Sequence, residues 1–142
     1  MPESLFEPVE GGWLPTDYTR GPWSPKALHG GPVAALLART AEVTGDDGAA
    51  VEWLPARLTV ELLRPVPVAP LRADATVVRP GRKVQLIDAF LRTVDGTEVA
   101  SARLLRVRHE HVPAPVTTDV APPPGPGTVA GEEHFNRYEY DA

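Results

Sequence analysis

The chain has 142 residues and contains no cysteine. That excludes disulfides, thiolate catalysis and Cys-ligated metals outright. Nor does it contain a long hydrophobic run. The longest, Pro32 to Ala38, falls far short of the roughly 20 residues that a membrane-spanning helix needs. Residues 1 to 20 show no basic start followed by an apolar stretch, so no secretory signal is legible and a cytoplasmic location is expected. A surplus of positive charge is also missing: 14 Lys and Arg stand against 19 Asp and Glu, a formal charge of −5. The two signs interleave, whereas a nucleic-acid partner calls for a concentrated basic surface. No nucleic-acid or membrane partner is expected, although a locally basic groove for a phosphorylated small molecule remains compatible.

What is there in quantity is proline and glycine, 17 and 12, and they cluster. Residues 1 to 31 hold Gly11-Gly12-Trp13 and Gly21-Pro22-Trp23-Ser24-Pro25. Trp13 to Arg20 reads as a short first strand or extended segment, and Gly21 to Gly31 as a structured loop. Gly31-Pro32 opens a helix, because proline costs nothing at the first helical position. Val33, Leu36, Leu37, Ala41 and Thr44 keep the i, i+3, i+4 spacing. Ala34, Ala35 and Ala38 make the other faces small and apolar, so the helix should be buried through at least its first two turns. Gly45 is a natural C-terminal cap.

From residue 54 the period becomes two. Leu58, Val60 and Leu62 alternate with Arg57, Thr59 and Glu61, and Ala73, Ala75 and Val77 alternate with Arg72, Asp74 and Thr76. Arg64-Pro65-Val66-Pro67 ends the first of these strands or makes it an edge. Arg79-Pro80-Gly81-Arg82 reads as a tight turn with proline and glycine in type II positions. Lys83 to Val94 is a long strand that Asp95-Gly96 pairs with Glu98 to Arg108 as a hairpin. The tail changes character at Val112: residues 113 to 127 hold six prolines and two glycines, a linker composition. Residues 1–112 therefore form one domain, and 113–142 a Pro-rich linker and tail, a possible start of a second, missing domain. The order is strand, buried helix, then four antiparallel strands in hairpin succession. It specifies an α+β hot-dog fold, an antiparallel β-sheet wrapped around one central buried helix. Its long hydrophobic sheet edge would pair with a second copy.

Three segments carry a family resemblance. Arg20-Gly21-Pro22-Trp23-Ser24-Pro25 through His29-Gly30-Gly31-Pro32 resembles the N-terminal hot-dog half of acyl-CoA thioesterase II-like proteins. Pro55 to Pro67 is similar to that family's first long strand and its exit, and Gly81-Arg82-Lys83-Val84-Gln85-Leu86 to its next hairpin. The resemblance covers roughly residues 10 to 108. It implies a double hot-dog chain with acyl-CoA thioesterase activity, whose catalysis is carried mainly by a second half that is absent from this sequence. No residue of that half can be transferred here.

A thioester hydrolase must stabilise negative charge on the carbonyl oxygen. Unpaired amides at the positive end of a helix do so, and glycines allow close approach. In related hot-dog thioesterases a His-Gly-Gly before the central helix plays this part, so Gly30 or Gly31 is the candidate donor and His29 a candidate substrate or water contact. Gln85 leads the apolar row Ile87, Ala89 and Leu91, and is a candidate for holding a ligand or catalytic water. The bland alternatives are a glycine-rich helix entry, a satisfied loop histidine and a rim glutamine. Trp23, flanking the loop with Trp13, suggests a lid over an acyl pocket or a staple for the N-terminal segment. Arg82, with Arg79, Arg103, Arg106 and Arg108, suggests a basic rim for a CoA phosphate or a merely solvated surface. His109 and His111 lack a third ligand, so no metal is expected, and no cofactor either. The helix carries no carboxylate before Glu42, which reads as a solvated helix-end group rather than a base.

The leading expectation is an acyl-CoA thioesterase-like protein hydrolysing or binding acyl thioesters, acting as a homodimer or paired with a second hot-dog domain. The rivals are a non-catalytic acyl-binding or structural module, and an enoyl or hydroxyacyl thioester hydratase or dehydratase, which would need an acid–base pair where only His29 is visible.

Overall fold

Two hydrophobic periods in the sequence become two layers. In the computed structural model, described for residues 4–45 and 52–110 together with 113, 121 and 125, the chain divides into two units, Met1–His109 and Glu110–Ala142. In the second unit, Glu110, Pro113, Ala121 and Gly125 are exposed; the rest of the expected tail, like His111, lies outside the described residues.

The first unit runs β1 (Phe6–Val9), β2 (Gly12–Pro15), a 3₁₀ turn (Asp17–Thr19), α1 (Gly30–Val43), β3 (Trp53–Leu62), β4 (Leu71–Arg79), β5 (Val84–Thr93) and β6 (Glu98–Arg108). The strands form one antiparallel sheet in the order β1-β2-β4-β5-β6-β3. This is the expected hot-dog architecture. Val33, Leu36, Leu37 and Ala41 of α1 pack on Leu71 of β4, on Ile87, Ala89 and Leu91 of β5, and on Ala100, Ala102 and Leu104 of β6. The helical and period-two patterns meet in one core because each puts its apolar residues on one side.

Several expectations are corrected. The expected first strand, Trp13 to Arg20, stops at Pro15, because Asp17–Thr19 winds into a 3₁₀ turn. A preceding strand, β1, pairs with β2 through Glu10 and Gly11, the latter at φ 71°. Pro32 is the third helical residue rather than the first, and it remains within the turn whose N–H groups have no helical acceptor. The helix is not buried all round in its first two turns: Gly31 and Ala35 face outward and continue to Arg39 and Glu42.

Nor do the four later strands follow one another as hairpins. Only β4, β5 and β6 do, while β3 crosses to the far edge beside β6. Pro55 lies within β3 beside a bulge at Pro55/Arg57, a placement that edge strands and bulges tolerate. Gly81 has no positive φ, so the turn is not type II. Glycine is needed there because a Cβ would stand 2.2 Å from the Val84 carbonyl oxygen. The β5–β6 loop is four residues long, Val94 to Thr97, closed by Thr93 N–H to Thr97 O at 2.9 Å and Gly96 N–H to Thr93 O at 2.9 Å. Gly96, at φ 88°, supplies the left-handed position of such loops.

The helix–sheet core makes a stability prediction. Leu37 is fully buried, so Leu37→Ala should cost roughly 2–5 kcal/mol, read from urea unfolding. Ala35→Ser on the outward face should stay within about 0.5 kcal/mol.

Candidate functional site

The sheet register sets which residues share an end of the molecule. Leu62, Ala100 and Leu91 are aligned across β3, β6 and β5, while Trp53, Arg108, Val107 and Val84 mark the opposite end. A Cβ on Gly30 would touch Leu62 at 3.3 Å, so the start of α1 lies at the first end. At the second, Arg106 donates to the Glu42 carbonyl oxygen at 3.0 Å.

At the start of α1 the backbone donors can be accounted for one by one. His29 is the N-cap, with its own N–H given to the Thr19 carbonyl at 3.0 Å. Its Nδ1 accepts from the Gly31 N–H at 3.2 Å, which leaves the proton of the neutral imidazole on Nε2. Pro32 has no N–H. Gly30 therefore holds the one N–H in this first turn with no acceptor among the described residues. Glycine at 31 leaves room for the ring: a Cβ there would stand 2.9 Å from His29 Cε1, and the imidazole would have to shift.

Gly30 opens on a cleft of about 310 Å³. Leu28 and Val33 form its helix side, and Leu62, Pro65 and Val66 its far wall. Arg64 is the one charged residue that lines it. Two ties fix this wall. Leu63 and Arg64 both donate to the Val99 carbonyl, at 3.1 and 3.3 Å, and Leu28 N–H donates to Val66 O at 2.8 Å. The loop before the helix is held too, through Gly21 N–H to Ala27 O at 3.3 Å and Val68 N–H to Lys26 O at 3.2 Å. Trp23 sits near the tip of that loop and is 84% exposed; it covers nothing in the isolated domain. Trp13 is half-buried and packs on the core, so of the two tryptophans it is the one that staples the N-terminal segment.

Gln85 is elsewhere. Its Oε1 accepts from Arg106 Nε at 2.9 Å and Nη2 at 2.7 Å, and its Nε2 donates to the Gly81 carbonyl at 3.3 Å. Arg106 is 2% exposed, lies over the Trp53 ring at 5.1 Å, and reaches the last turn of α1. Gln85 thus belongs to a buried cluster almost a helix length, about 20 Å, from Gly30. The structure does not bring it together with His29 and the glycines. Arg82 lies in the β4–β5 turn at that same far end and is exposed.

Of the expected basic rim, Arg79, Arg82 and Arg108 are exposed at that far end, but two members are not part of it. Arg106 is interior, and Arg103 pairs with Asp88 through bonds of 2.6 and 2.7 Å on the opposite sheet face. Asp88, expected to be exposed, is half-buried by that pair. His109 Nδ1 lies 3.0 Å from a Glu52 carboxylate oxygen, and no group of three metal-ligating side chains occurs among the described residues. Glu42 is exposed, as expected of a solvated helix-end carboxylate. Sequence reasoning missed the cleft wall, Leu62 to Val66. Its only local signal was an arginine at the exit of an alternating strand, and only the crossover of β3 brings that exit to the helix start.

Residues 19–107 match the acyl-CoA thioesterase N-terminal domain family. No curated protein matches the sequence. Among solved structures, a thioesterase from Haemophilus influenzae is similar at 25% identity and TM-score 0.59, over 64% of this chain and 64% of that one. This chain thus spans less than two-thirds of that protein. A phenylacetic acid degradation-related protein from Ralstonia eutropha is similar at 27% identity and TM-score 0.57, over 72% of this chain and 83% of that one. A Bacillus halodurans protein solved with CoA shares the fold at 20% identity and TM-score 0.60, over 68% of each chain.

Two predictions test the placements of Gln85 and Asp88. Gln85→Leu and Arg106→Leu should each destabilise the domain, and a double-mutant cycle in urea should give a coupling of about 0.5–3 kcal/mol. Additive losses would show that the two do not act together. The Arg103 hydrogen bonds hold the Asp88 carboxyl below its ordinary value of 3.8. A lowered folded-state pKa favours the ionised form, so this stability is fully present above about pH 4. It is lost as pH falls through the lowered value. Asp88→Asn should flatten that acid limb of the stability–pH curve.

Proposed function

We propose an acyl-thioester function from one premise: this chain belongs to the acyl-CoA thioesterase N-terminal domain family. The observation that carries the proposal is the unaccepted Gly30 N–H opening on an apolar cleft. The acyl group lies against Leu28, Val33, Leu62 and Val66, and the thioester carbonyl oxygen meets the Gly30 amide. Water adds to the carbonyl carbon and the amide takes up the oxygen's negative charge, supported by the helix dipole. Collapse breaks the C–S bond, and the departing thiolate takes a proton. His29 positions the glycines by capping Gly31, and its Nε2–H is its remaining donor.

None of the lining residues is an acid or a nucleophile, so the group that activates water comes from a second hot-dog unit. We place that unit, another copy or a partner domain, against the β3 edge. Leu54 and Leu62 on that strand and Leu63 just beyond it are exposed. Trp23, at the tip of a tied loop, would contact the substrate or this second unit. Arg82 contributes only if the substrate reaches the far end of the sheet. Among the described residues no helix is long and apolar enough to cross a membrane, in line with the proposed cytoplasmic setting.

The missing acid favours one second reading, a module that binds acyl thioesters without hydrolysing them. Turnover decides between the two: the intact assembly, given short, medium and long acyl-CoAs, should release thiol above background if the first is right. A sharper test exploits position. Gly30 is the first helical residue and His29 before it is extended, at φ −81° and ψ 159°, so proline fits position 30. Gly30→Pro removes the N–H, while Gly30→Ala adds a comparable Cβ and keeps it. Gly30→Pro should lose roughly 10²–10³ in kcat relative to Gly30→Ala. Equal activities would remove the Gly30 amide from the mechanism.

A further inference from the structure

We infer that Arg64 is a specificity determinant that selects acyl groups bearing a carboxylate of their own. The inference rests on the thioester reading of the cleft and goes beyond it by naming the substrate class. The cleft is otherwise apolar, and Arg64 is the only charged residue on its wall. Arg20 pairs with Asp17, Arg92 with Asp74 and Glu98, and Arg103 with Asp88; of the arginines without a carboxylate partner among the described residues, Arg64 is the one that lines the cleft. The Arg64 side chain has no such partner among the described residues, although the chain as a whole is acidic.

Its backbone is fixed on both sides, by the bond to Val99 O and, two residues on, by Leu28 N–H on Val66 O. Pro65 fixes the intervening φ. With the backbone held, binding an anion orders only the side-chain torsions, and a guanidinium takes a carboxylate bidentately.

Distance says which anion. A volume of 310 Å³, taken as a sphere, is about 8 Å across. The first phosphorus of a CoA or carrier-protein arm lies thirteen bonds from the thioester sulfur, about 15 Å when extended, since three backbone bonds span at most ~3.6 Å. With the thioester at Gly30, that phosphate falls outside the cleft. A carboxylate a few carbons from the carbonyl falls inside it, where Arg64 is. A neutral acyl group of the same length leaves the guanidinium with solvent alone.

Binding of non-hydrolysable thioethers, followed by tryptophan fluorescence on the full chain in its native assembly, tests this without requiring turnover. The probes are S-(3-carboxypropyl)-CoA and S-butyl-CoA, and the same two groups on N-acetylcysteamine, which carries no phosphate. The carboxylated probe should bind roughly tenfold or more tightly than the butyl probe on both carriers. Arg64→Gln should abolish that preference, and Arg64→Lys should keep part of it as a point charge. No preference in the wild type, or a preference that survives in Arg64→Gln, would overturn the inference. So would a loss in Arg64→Gln that falls equally on both CoA probes and spares both cysteamine probes, which would make Arg64 a phosphate contact. The exposed position of Arg64 lets the variants fold, and thermal melts check this. Selective, Arg64-dependent binding without thiol release would remove hydrolysis and leave the selectivity standing. Thiol release without selectivity would do the reverse.

Discussion

Arg106 holds the end of α1 to the sheet, and His29 holds its beginning. One buried guanidinium donates to Gln85 and to the last-turn carbonyl of Glu42, at the negative end of the helix dipole. At the other end the His29 backbone is tied to Thr19, and its ring to Gly31. A helix of small residues has few large side chains to lock its position along a sheet. Pinned at both ends, it cannot slide, and the Gly30 amide is therefore directed at one place. The cleft exists because that place coincides with the exit of β3.

This arrangement separates two tasks that the same residue types could serve. The polar cluster at the far end turns inward: Arg106 donates to Gln85 and Glu42, and Gln85 to Gly81, the partnering a buried polar group needs to be stable. The near end is left one donor short, and it opens on apolar walls. The Gly30 amide is half-exposed, so it stands free to meet water or a ligand at a concave apolar surface. The edge strand β3 contributes to both ends, with Trp53 under Arg106 and Leu62 beside Gly30.

Gln85 illustrates what a pattern can and cannot say. Its place at the head of Ile87, Ala89 and Leu91 was legible, and that row does face the helix. The partner was not legible, because Arg106 lies 21 residues away and in sequence looked like one more surface arginine among Arg103 and Arg108. The error about both residues is one error: alternation tells which face a side chain takes, not what crosses from the neighbouring strand. For the same reason Arg64 passed as a strand exit. Gly30 was narrowed from a pair to one residue only when the histidine was seen to occupy the other amide.

By itself the sequence determined the classes of element, the buried stripe Val33-Leu36-Leu37-Ala41, the β4–β5–β6 meander and the glycine-rich helix start. These are local, since period, proline and glycine act within a few residues. The tertiary structure alone decided that β3 would lie at the far edge, that its exit would wall the helix start, and which arginine would be interior and which would line the cleft. Those are choices among pairings tens of residues apart. They are settled by which arrangement buries the most apolar surface while leaving the fewest polar groups without partners, a sum that no single segment contains.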